Sequence, residues 1–111
     1  GVVATARKPV TEAPTLLQPA PALVLAGFGI QDPGNAGAVI RAAAAAGATG
    51  VYFDDGTADP WGWKALRASM GAVFHLPVLR SRSLVTLTGS FLGTNCSSSE
   101  VTPWASRSNW L

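Results

Sequence analysis

Blocks of apolar and polar residues along the chain predict a strand, a helix and a second strand. ALVLAGF (22–28) is an unbroken apolar run, typical of a parallel strand covered on both faces. GIQDPGN then indicates a loop ending in Asn35, a favourable N-cap, and AGAVIRAAAAAG predicts a helix that closes at Gly47. ATGVYFDD, with β-branched and aromatic residues, predicts the next strand. This succession predicts a right-handed βαβ unit and hence an α/β fold.

The flanking segments are less regular. Residues 1–22 contain four prolines and predict a short extended segment, then a Pro-rich linker that cannot be regular helix. Pro60 is expected to start a helix over WGWKALRASMG, and AVFHLPV to run extended with Pro77 at an edge or strand end. From Ser83 onward the chain is rich in Ser, Thr, Gly and Asn. Apart from a candidate strand, LVTLTG, residues 83–111 predict irregular or disordered chain.

Composition narrows the classes of function. The 111 residues suffice for one small domain, and with 13% charged against 48% apolar residues its elements need cover on several faces or from a partner. A net charge of +2 does not by itself indicate nucleic acid. Apolar runs are too short for a membrane span, and the single Cys96 and single His75 cannot form a His/Cys zinc site. A lone cysteine fits a reducing compartment, so a cytoplasmic location is expected.

Arg41 is the one charged side chain between Asp32 and Asp54. A buried, unpaired charge is costly, so the guanidinium must be paired, reach a surface or meet a ligand. A salt bridge to Asp32, Asp54 or Asp55 is one interpretation, and a cation that binds a phosphate or ribose is the other. Gly37 lies one turn earlier on the same helix face, where bare backbone would let a ligand enter. Both interpretations of the arginine stay open on spacing alone.

The DPGNAG loop lies at the carboxyl end of a predicted strand, where open α/β sheets bind ligands. The helix N–H groups that follow favour an anion. The loop matches neither GxGxxG nor a Walker loop, because no Lys-Ser/Thr pair follows it. On spacing alone, a simple capped turn is the better explanation.

NAGAVIR resembles the first motif of the SpoU/TrmH family, N-x-G-x-x-x-R. These proteins are ribose 2′-O-methyltransferases of tRNA and rRNA within the SPOUT superfamily. LRASMGAVFHLPV is similar to the family's later R-x-S-x-G-A and L-P-V pieces, and GVVATARKPV resembles the lead-in from a preceding substrate-binding domain. The resemblance covers roughly residues 1 to 82. It implies a Rossmann-like parallel sheet of the SPOUT (α/β knot) type.

The resemblance also implies roles for individual residues. The family's arginine, matched by Arg41, favours the ribose alkoxide during methyl transfer from S-adenosylmethionine. Asn35 would shape the loop and help hold the arginine or the RNA, and Gly37 would keep the approach open. Ser69 and Gly71 match the second motif, although a helix end explains them better than direct contact. The residues expected to contact RNA are Arg41, Asn35, Gly37, Lys64, Arg67 and Ser69.

The resemblance stops near residue 82. The family's two later motifs, G-x-E-x-x-G and P-x-x-x-x-x-S-L-N, build its cofactor pocket and knot, and neither is recognisable here. We therefore expect a lead-in segment and linker over 1–22, a partial, unknotted SPOUT domain over 23–82 and a divergent tail over 83–111. Cofactor-binding residues cannot be assigned. The chain begins with Gly1 and is expected to be a piece of a longer protein, or to carry a frame shift near residue 83, which the abrupt composition change favours.

Three functions follow. The main hypothesis is S-adenosylmethionine-dependent methylation of a ribose 2′-hydroxyl in tRNA or rRNA, by a homodimer with no metal and no membrane partner. The alternative is an RNA-binding remnant without catalysis, whose binding by Lys64, Arg67, Arg80 and Arg82 would weaken steeply with salt. A Rossmann-like domain for another nucleotide is the poorest of the three, because GxGxxG is absent.

Overall fold

The computed structural model describes residues 1–82 and contains a three-stranded parallel sheet. The strands are β1 (Val24–Gly27), β2 (Gly50–Asp54) and β3 (Val78–Ser81), and both β1 and β3 pair in parallel with the central β2. β2 is buried on both faces, which explains its continuous apolar sequence. The predicted α/β class and its parallel strands are confirmed.

Two helices cover one face of this sheet. α2 (Pro33–Ala45) connects β1 to β2, and α3 (Trp63–Ser69) lies between β2 and β3 and packs closely on α2. Their small apolar residues interlock with the inner face of the sheet. The buried cluster on this face comprises Ala36, Ile40, Ala43, Val51, Phe53, Val73, Leu76 and Val78.

α2 starts earlier than predicted. Its N-cap is Asp32, whose carboxylate accepts a 3.0 Å hydrogen bond from the Gly34 N–H, and Pro33 occupies the first helical position. The prediction of Asn35 as N-cap is therefore wrong, because an aspartate ahead of the proline already caps the helix. Its end is confirmed: Gly47 follows the last turn with a φ of 77°.

A short helix, α1 (Ala13–Leu17), interrupts the predicted linker. Pro14 lies in its first turn, where a missing N–H costs no hydrogen bond, so the expectation of no regular helix is wrong here. Leu16 is fully buried against Tyr52 on the opposite face of the sheet. A Cβ at Gly50 would collide with the Leu16 side chain, so β2 accommodates α1 through a glycine.

The region after β2 also differs from prediction. α3 begins at Trp63 rather than at Pro60, and Ala72–Phe74 forms a 3₁₀ turn where an extended run is predicted. The physical reason is a pair of left-handed residues, Met70 (φ 51°) and Gly71 (φ 84°), which end α3 and reverse the chain. Pro77 immediately precedes β3, as predicted for a strand end.

The prediction that β1 is covered on both faces is wrong. Leu25 is 36% exposed, because within residues 1–82 no further strand lies beyond β1. The predicted LVTLTG strand and any knot fall outside the described residues. None of the helices within residues 1–82 is long and apolar enough to cross a bilayer.

Candidate functional site

Asp54, at the end of β2, organises the loops at the carboxyl edge of the sheet. Its carboxylate accepts hydrogen bonds from the Gly29 N–H (2.9 Å) and the Thr57 hydroxyl (2.7 Å). The Thr57 oxygen in turn accepts from the Ile30 N–H at 3.2 Å, and the Ala58 N–H donates to the Ile30 carbonyl at 2.7 Å. The loop after β1 is thereby fixed to the loop after β2, which sets the position at which α2 begins.

The same contacts lower the pKa of Asp54 below its ordinary value, chiefly through the hydrogen bond from the Thr57 hydroxyl and then that from the Gly29 N–H. Both bonds favour the carboxylate over the neutral acid. Asp54 is consequently an ionised loop anchor, with its oxygen already occupied by donors of the two loops.

Arg41 reaches the surface of the domain, which answers how α2 carries one charge among alanines. The side chain is exposed, and its Nη1 lies 3.2 Å from the Met70 sulfur. A thioether is a weak acceptor without charge, so this contact orients the guanidinium and leaves most of its five donors available. Arg41 therefore remains a fully charged hydrogen-bond donor on an exposed helix face.

The salt-bridge interpretation of Arg41 is wrong for the described part of the chain. Asp32 caps α2, Asp54 holds the two loops, and Asp55 pairs with the Arg82 Nε at 3.4 Å. Across residues 1–82, no carboxylate forms an ion pair with Arg41. Each candidate aspartate is instead used by its own loop.

Gly37 does not leave an open approach, contrary to prediction. α3 lies directly over it: a Cβ there would collide with the Ala65 carbonyl oxygen and would meet the Ala68 Cβ at 2.7 Å and the Ser69 nitrogen at 2.9 Å. Gly37 is fully covered, and its missing side chain lets the two helix backbones approach each other. Its role in this structure is packing, and RNA cannot reach it.

Ser69 is also part of the packing. It is completely buried, and its hydroxyl donates a 2.8 Å hydrogen bond to the Leu66 carbonyl within the last turn of α3. A buried hydroxyl so bonded has no surface for RNA, so the expected RNA contact at Ser69 is not found here. The preferred interpretation, a helix end, agrees with the left-handed backbone of Gly71.

Asn35 is exposed in the first turn of α2, within the DPGNAG segment that was predicted as a loop. It precedes Arg41 by six positions, about 9 Å along the helix axis and about a third of a turn around it. Among the described residues, no hydrogen bond joins the two side chains. The structure thus presents both motif side chains to solvent without the predicted support of the arginine by the asparagine.

The basic residues considered for RNA binding differ in their contacts within residues 1–82. Arg80 donates to the carbonyls of Thr57 and Asp55, both at 3.0 Å, and Arg82 pairs with the Asp55 carboxylate. Arg80 is therefore occupied in holding the loop after β2, whereas Arg82 makes only a solvent-exposed pair, with 91% of its side chain accessible. Lys64, unlike Arg82, makes no ion pair within residues 1–82 and is exposed on α3.

Trp63 is a surface residue that the sequence analysis did not single out. Its ring is 64% exposed, with the Lys64 Nζ 5.7 Å and the Arg67 guanidinium carbon 5.8 Å from its centroid. Part of the signal was present in WKALR, since the spacing of four positions places Trp63 and Arg67 on one helix side, whereas the proximity of Lys64 appears only in the structure. Cation–π distances near 6 Å hold the three side chains as one group.

Two surface hollows, of about 330 and 290 Å³, lie between the N-terminal segment, Trp61 and β3. Neither is lined by Asn35, Gly37 or Arg41. Within residues 1–82, no group of three or more His, Cys, Asp or Glu side chains is placed to hold a metal ion.

Known proteins have sequences similar to this chain. The RlmP protein of Bacillus subtilis (strain 168), named as a 23S rRNA (guanosine(2553)-2′-O)-methyltransferase, is 53% identical over 51 residues, which are 46% of this chain and 21% of that protein. Mitochondrial rRNA methyltransferase 3 of Homo sapiens is 34% identical over 107 residues, covering 87% of this chain and 26% of that protein. The chain thus spans about a quarter of the length of these two relatives.

Solved structures share the fold. The SpoU methyltransferase AviRb from Streptomyces viridochromogenes, solved in complex with the cofactor AdoMet, superposes with a TM-score of 0.72 at 27% identity. The match covers 81% of this chain and 36% of that one. The predicted SPOUT-type parallel sheet is therefore confirmed.

The family model described as SpoU rRNA Methylase matches residues 22–108. The matched range continues past residue 82, so the expectation that the resemblance stops there is wrong, whereas the domain boundary at residue 82 stays a prediction. The match includes the strand, loop and helix that carry Asn35 and Arg41, and it spans most of the chain. This protein belongs to the SpoU rRNA methylase family.

Proposed function

We propose that this chain is part of an enzyme that methylates the ribose 2′-hydroxyl of rRNA with S-adenosylmethionine. The observation that carries the proposal is Arg41, an exposed guanidinium at the arginine of the family motif, without a carboxylate partner among residues 1–82. The names of the relatives support rRNA over tRNA as the substrate class, and AviRb was solved with AdoMet.

Arg41 would act on the ribose oxygen. A 2′-hydroxyl is a poor nucleophile until it begins to lose its proton, and a guanidinium beside the oxygen stabilises the negative charge that then develops. The contact with Met70 favours this role, because an uncharged sulfur positions the cation and leaves its charge unneutralised. S-adenosylmethionine would supply the methyl group, and none of residues 1–82 is assigned to hold it.

The RNA contacts proposed for this face are those that the structure leaves accessible. Asn35 lies in the first turn of α2, where an amide and neighbouring helix N–H groups can donate to phosphate oxygens. Lys64 and Arg67 add positive charge on α3. Gly37 and Ser69 act indirectly, by holding α3 against the helix that carries Arg41.

A second candidate, RNA binding without catalysis, is favoured by the position of the two surface hollows away from Arg41. In that case Lys64 and Arg67 would supply the affinity. Arg80 and Arg82 would contribute less than predicted, because both are bonded to the loop after β2. Retention of RNA by a chain that transfers no methyl group would favour this candidate.

The test of the enzyme proposal is transfer of a radioactive methyl group from S-adenosylmethionine to rRNA by this 111-residue chain, with Arg41→Ala beside it. Resistance of the labelled linkage to alkaline hydrolysis identifies the 2′-oxygen as the acceptor. We expect Arg41→Ala to lower the rate about 100-fold or more, as for loss of one donor to a developing oxyanion. Arg7→Ala, which removes another exposed arginine, should leave the rate unchanged.

Unchanged transfer by Arg41→Ala, or label on a base in place of the ribose, would contradict the proposal. Thermal unfolding of Arg41→Ala should match that of the parent chain, because the side chain is exposed. Calorimetric titration with S-adenosylmethionine separates the two candidates further. Binding would show that residues beyond 82 complete a cofactor pocket, and its absence would favour RNA binding alone.

A homodimer and a cytoplasmic location complete the proposal. α2 carries a single charged residue, Arg41, and its exposed alanines, such as Ala42 and Ala45, suit burial against a second copy. The single Cys96 is the observation behind the cytoplasmic location, while relatives include proteins named as mitochondrial. Sedimentation equilibrium checks the homodimer, and a monomer at every concentration would contradict it. Fractionation of the source cells checks the cytoplasmic location.

A further inference from the structure

We propose that Trp63 is a stacking platform for an unpaired base of the substrate RNA, flanked by cations that bind the adjacent phosphates. The inference rests on the proposed function and goes beyond it, because it specifies single-stranded RNA as the form bound. We define the Trp63 platform as Trp63, Lys64 and Arg67 of α3, Met70 at the C-cap of α3 and Arg41 of α2.

Exposure is the first observation. Trp63 is 64% exposed and Met70 is 75% exposed, although both are large apolar side chains. A tryptophan normally buries most of its ring, so an indole left in solvent on a helix surface needs a reason. Ala65 and Ser69, on the opposite side of α3, are fully buried against the rest of the domain. α3 therefore packs on the domain through the side that carries Ala65 and Ser69, and Trp63 remains accessible to a ligand.

Charge is the second observation. α2 and α3 contain no acidic residue, and their cations are Arg41, Lys64 and Arg67. Within residues 1–82, none of these three cations forms an ion pair. An aromatic ring beside unneutralised cations matches a nucleotide, because the base offers a π-face and the phosphate offers negative charge. A protein partner would need acidic groups placed against all three cations.

Position is the third observation. α3 crosses α2 at Gly37, where the Ala65 carbonyl and the Ser69 nitrogen lie so close that a Cβ on the glycine would collide with them. Arg41 is one turn beyond that crossing and touches Met70, the residue that ends α3. Trp63 and Met70 are seven positions apart, about 10 Å along the axis and nearly on the same side of the helix, so the platform points toward the arginine proposed to act on ribose. A base stacked on Trp63 would hold a neighbouring nucleotide within reach of Arg41.

An unpaired strand is favoured over a duplex. Stacking on an exposed side chain requires a base whose face is free, and bases inside a helix already stack on each other. We infer that the target ribose lies in a loop, bulge or single-stranded segment. This is a statement of RNA form, and it leaves base identity open because every base has a π-face.

The experiment measures binding of the 111-residue chain to a fluorescein-labelled oligouridine and to the same length of RNA duplex, by anisotropy. Trp63→Ala should weaken binding to the single strand about tenfold, the scale of one lost stacking contact. Trp63→Phe should restore most of the affinity, and Trp63→Leu should not, because leucine keeps apolar bulk without a π-face. Phe74→Ala is the matched control: Phe74 is 65% exposed but lies against Trp61, away from the cations.

Salt dependence tests the cations. Lys64→Gln and Arg67→Gln should each reduce the slope of log K against log salt by about 0.7, the value for one phosphate of a single strand. Lys8→Gln, which removes an exposed cation of the N-terminal segment, should leave the slope unchanged. Equal slopes for all three variants would overturn the assignment of phosphates to α3.

Failure of the platform is distinguishable from failure of the enzyme proposal. If the parent chain binds RNA and Trp63→Ala binds it identically, the platform is wrong. If the parent chain also transfers the methyl group, the methyltransferase proposal stands without the platform. If Trp63 variants change affinity in the predicted order but no methyl group is transferred, the platform stands alone. Absence of any RNA binding, or a Trp63→Ala chain that changes only its self-association in sedimentation, overturns the platform, the latter in favour of a second copy of the chain.

Discussion

The two faces of the α2–α3 pair use the same family motifs in opposite ways. On the inner face, Gly37 and Ser69 are fully covered and bring the two helices into contact. On the outer face, Asn35 and Arg41 are exposed and lack charged partners within residues 1–82. One motif, N-x-G-x-x-x-R, therefore contains a packing residue between two accessible ones. Substitutions on the inner face should cost stability, and those on the outer face should cost function.

The largest effect on stability is expected at Gly37. Gly37→Ala places a methyl group against the Ala65 carbonyl, the Ala68 Cβ and the Ser69 nitrogen, so the helices must separate. We expect a loss of about 1–3 kcal/mol in the free energy of unfolding, measured by urea denaturation.

Gly34→Ala is the control for Gly37→Ala, because both glycines lie in α2. An added Cβ at Gly34 meets nothing closer than the Asp32 carboxylate at 3.5 Å, an ordinary contact. Alanine there should be neutral or stabilise by up to about 1 kcal/mol, through the helix preference of alanine over glycine. Equal stability of the two variants would show that α3 does not press on α2 as described.

A smaller loss is expected at Ser69. Ser69→Ala removes a buried hydroxyl and its bond to the Leu66 carbonyl, and should lower the free energy of unfolding by about 1 kcal/mol. RNA affinity should not change, because Ser69 is completely buried. Anisotropy with oligouridine checks this, and weaker binding by a chain that is fully folded would restore Ser69 as an RNA contact.

The smallest effect concerns Asp54 and depends on pH. Its pKa in the folded chain is below the ordinary 3.8, so the carboxylate contributes stability above that pH and loses the contribution as the pH falls through the folded value. Asp54→Asn keeps an acceptor oxygen but cannot ionise. The melting temperature of the parent should exceed that of Asp54→Asn at neutral pH, and the gap should narrow in acid. A gap that widens as the pH falls would contradict the assignment.

The local sequence predicts an element best where its residues strongly favour one backbone conformation. The central strand β2 and the end of α2 at Gly47 follow from β-branched content and from a glycine that adopts positive φ without strain. The start of α2 was missed because Asp32, Asn35 and the intervening Pro33 all resemble helix-start signals. Local preference does not rank them, whereas the structure bonds Asp32 to the Gly34 N–H.

The candidate site was anticipated in part. Asn35 and Arg41 were identified through the family motif, and both are exposed as an active role requires. The prediction for Gly37 is wrong because a glycine gives the same signal in the sequence whether a ligand or a packed helix occupies the space beside it. Trp63 was overlooked because an indole followed by cations acquires meaning only when the ring is known to be exposed.

By itself, the sequence determined the family, the parallel α/β class and the one arginine that an alanine-rich helix must bring to a surface or a partner. These depend on composition and on residues close together in the chain. Only the tertiary structure decided what each charge and each small residue meets: the aspartates are used by their own loops, α3 fills the gap over Gly37, and Trp63 lies in solvent beside two cations. The physical reason is that pairing and close packing join residues far apart in sequence, and their distances exist only once the helices lie on the sheet.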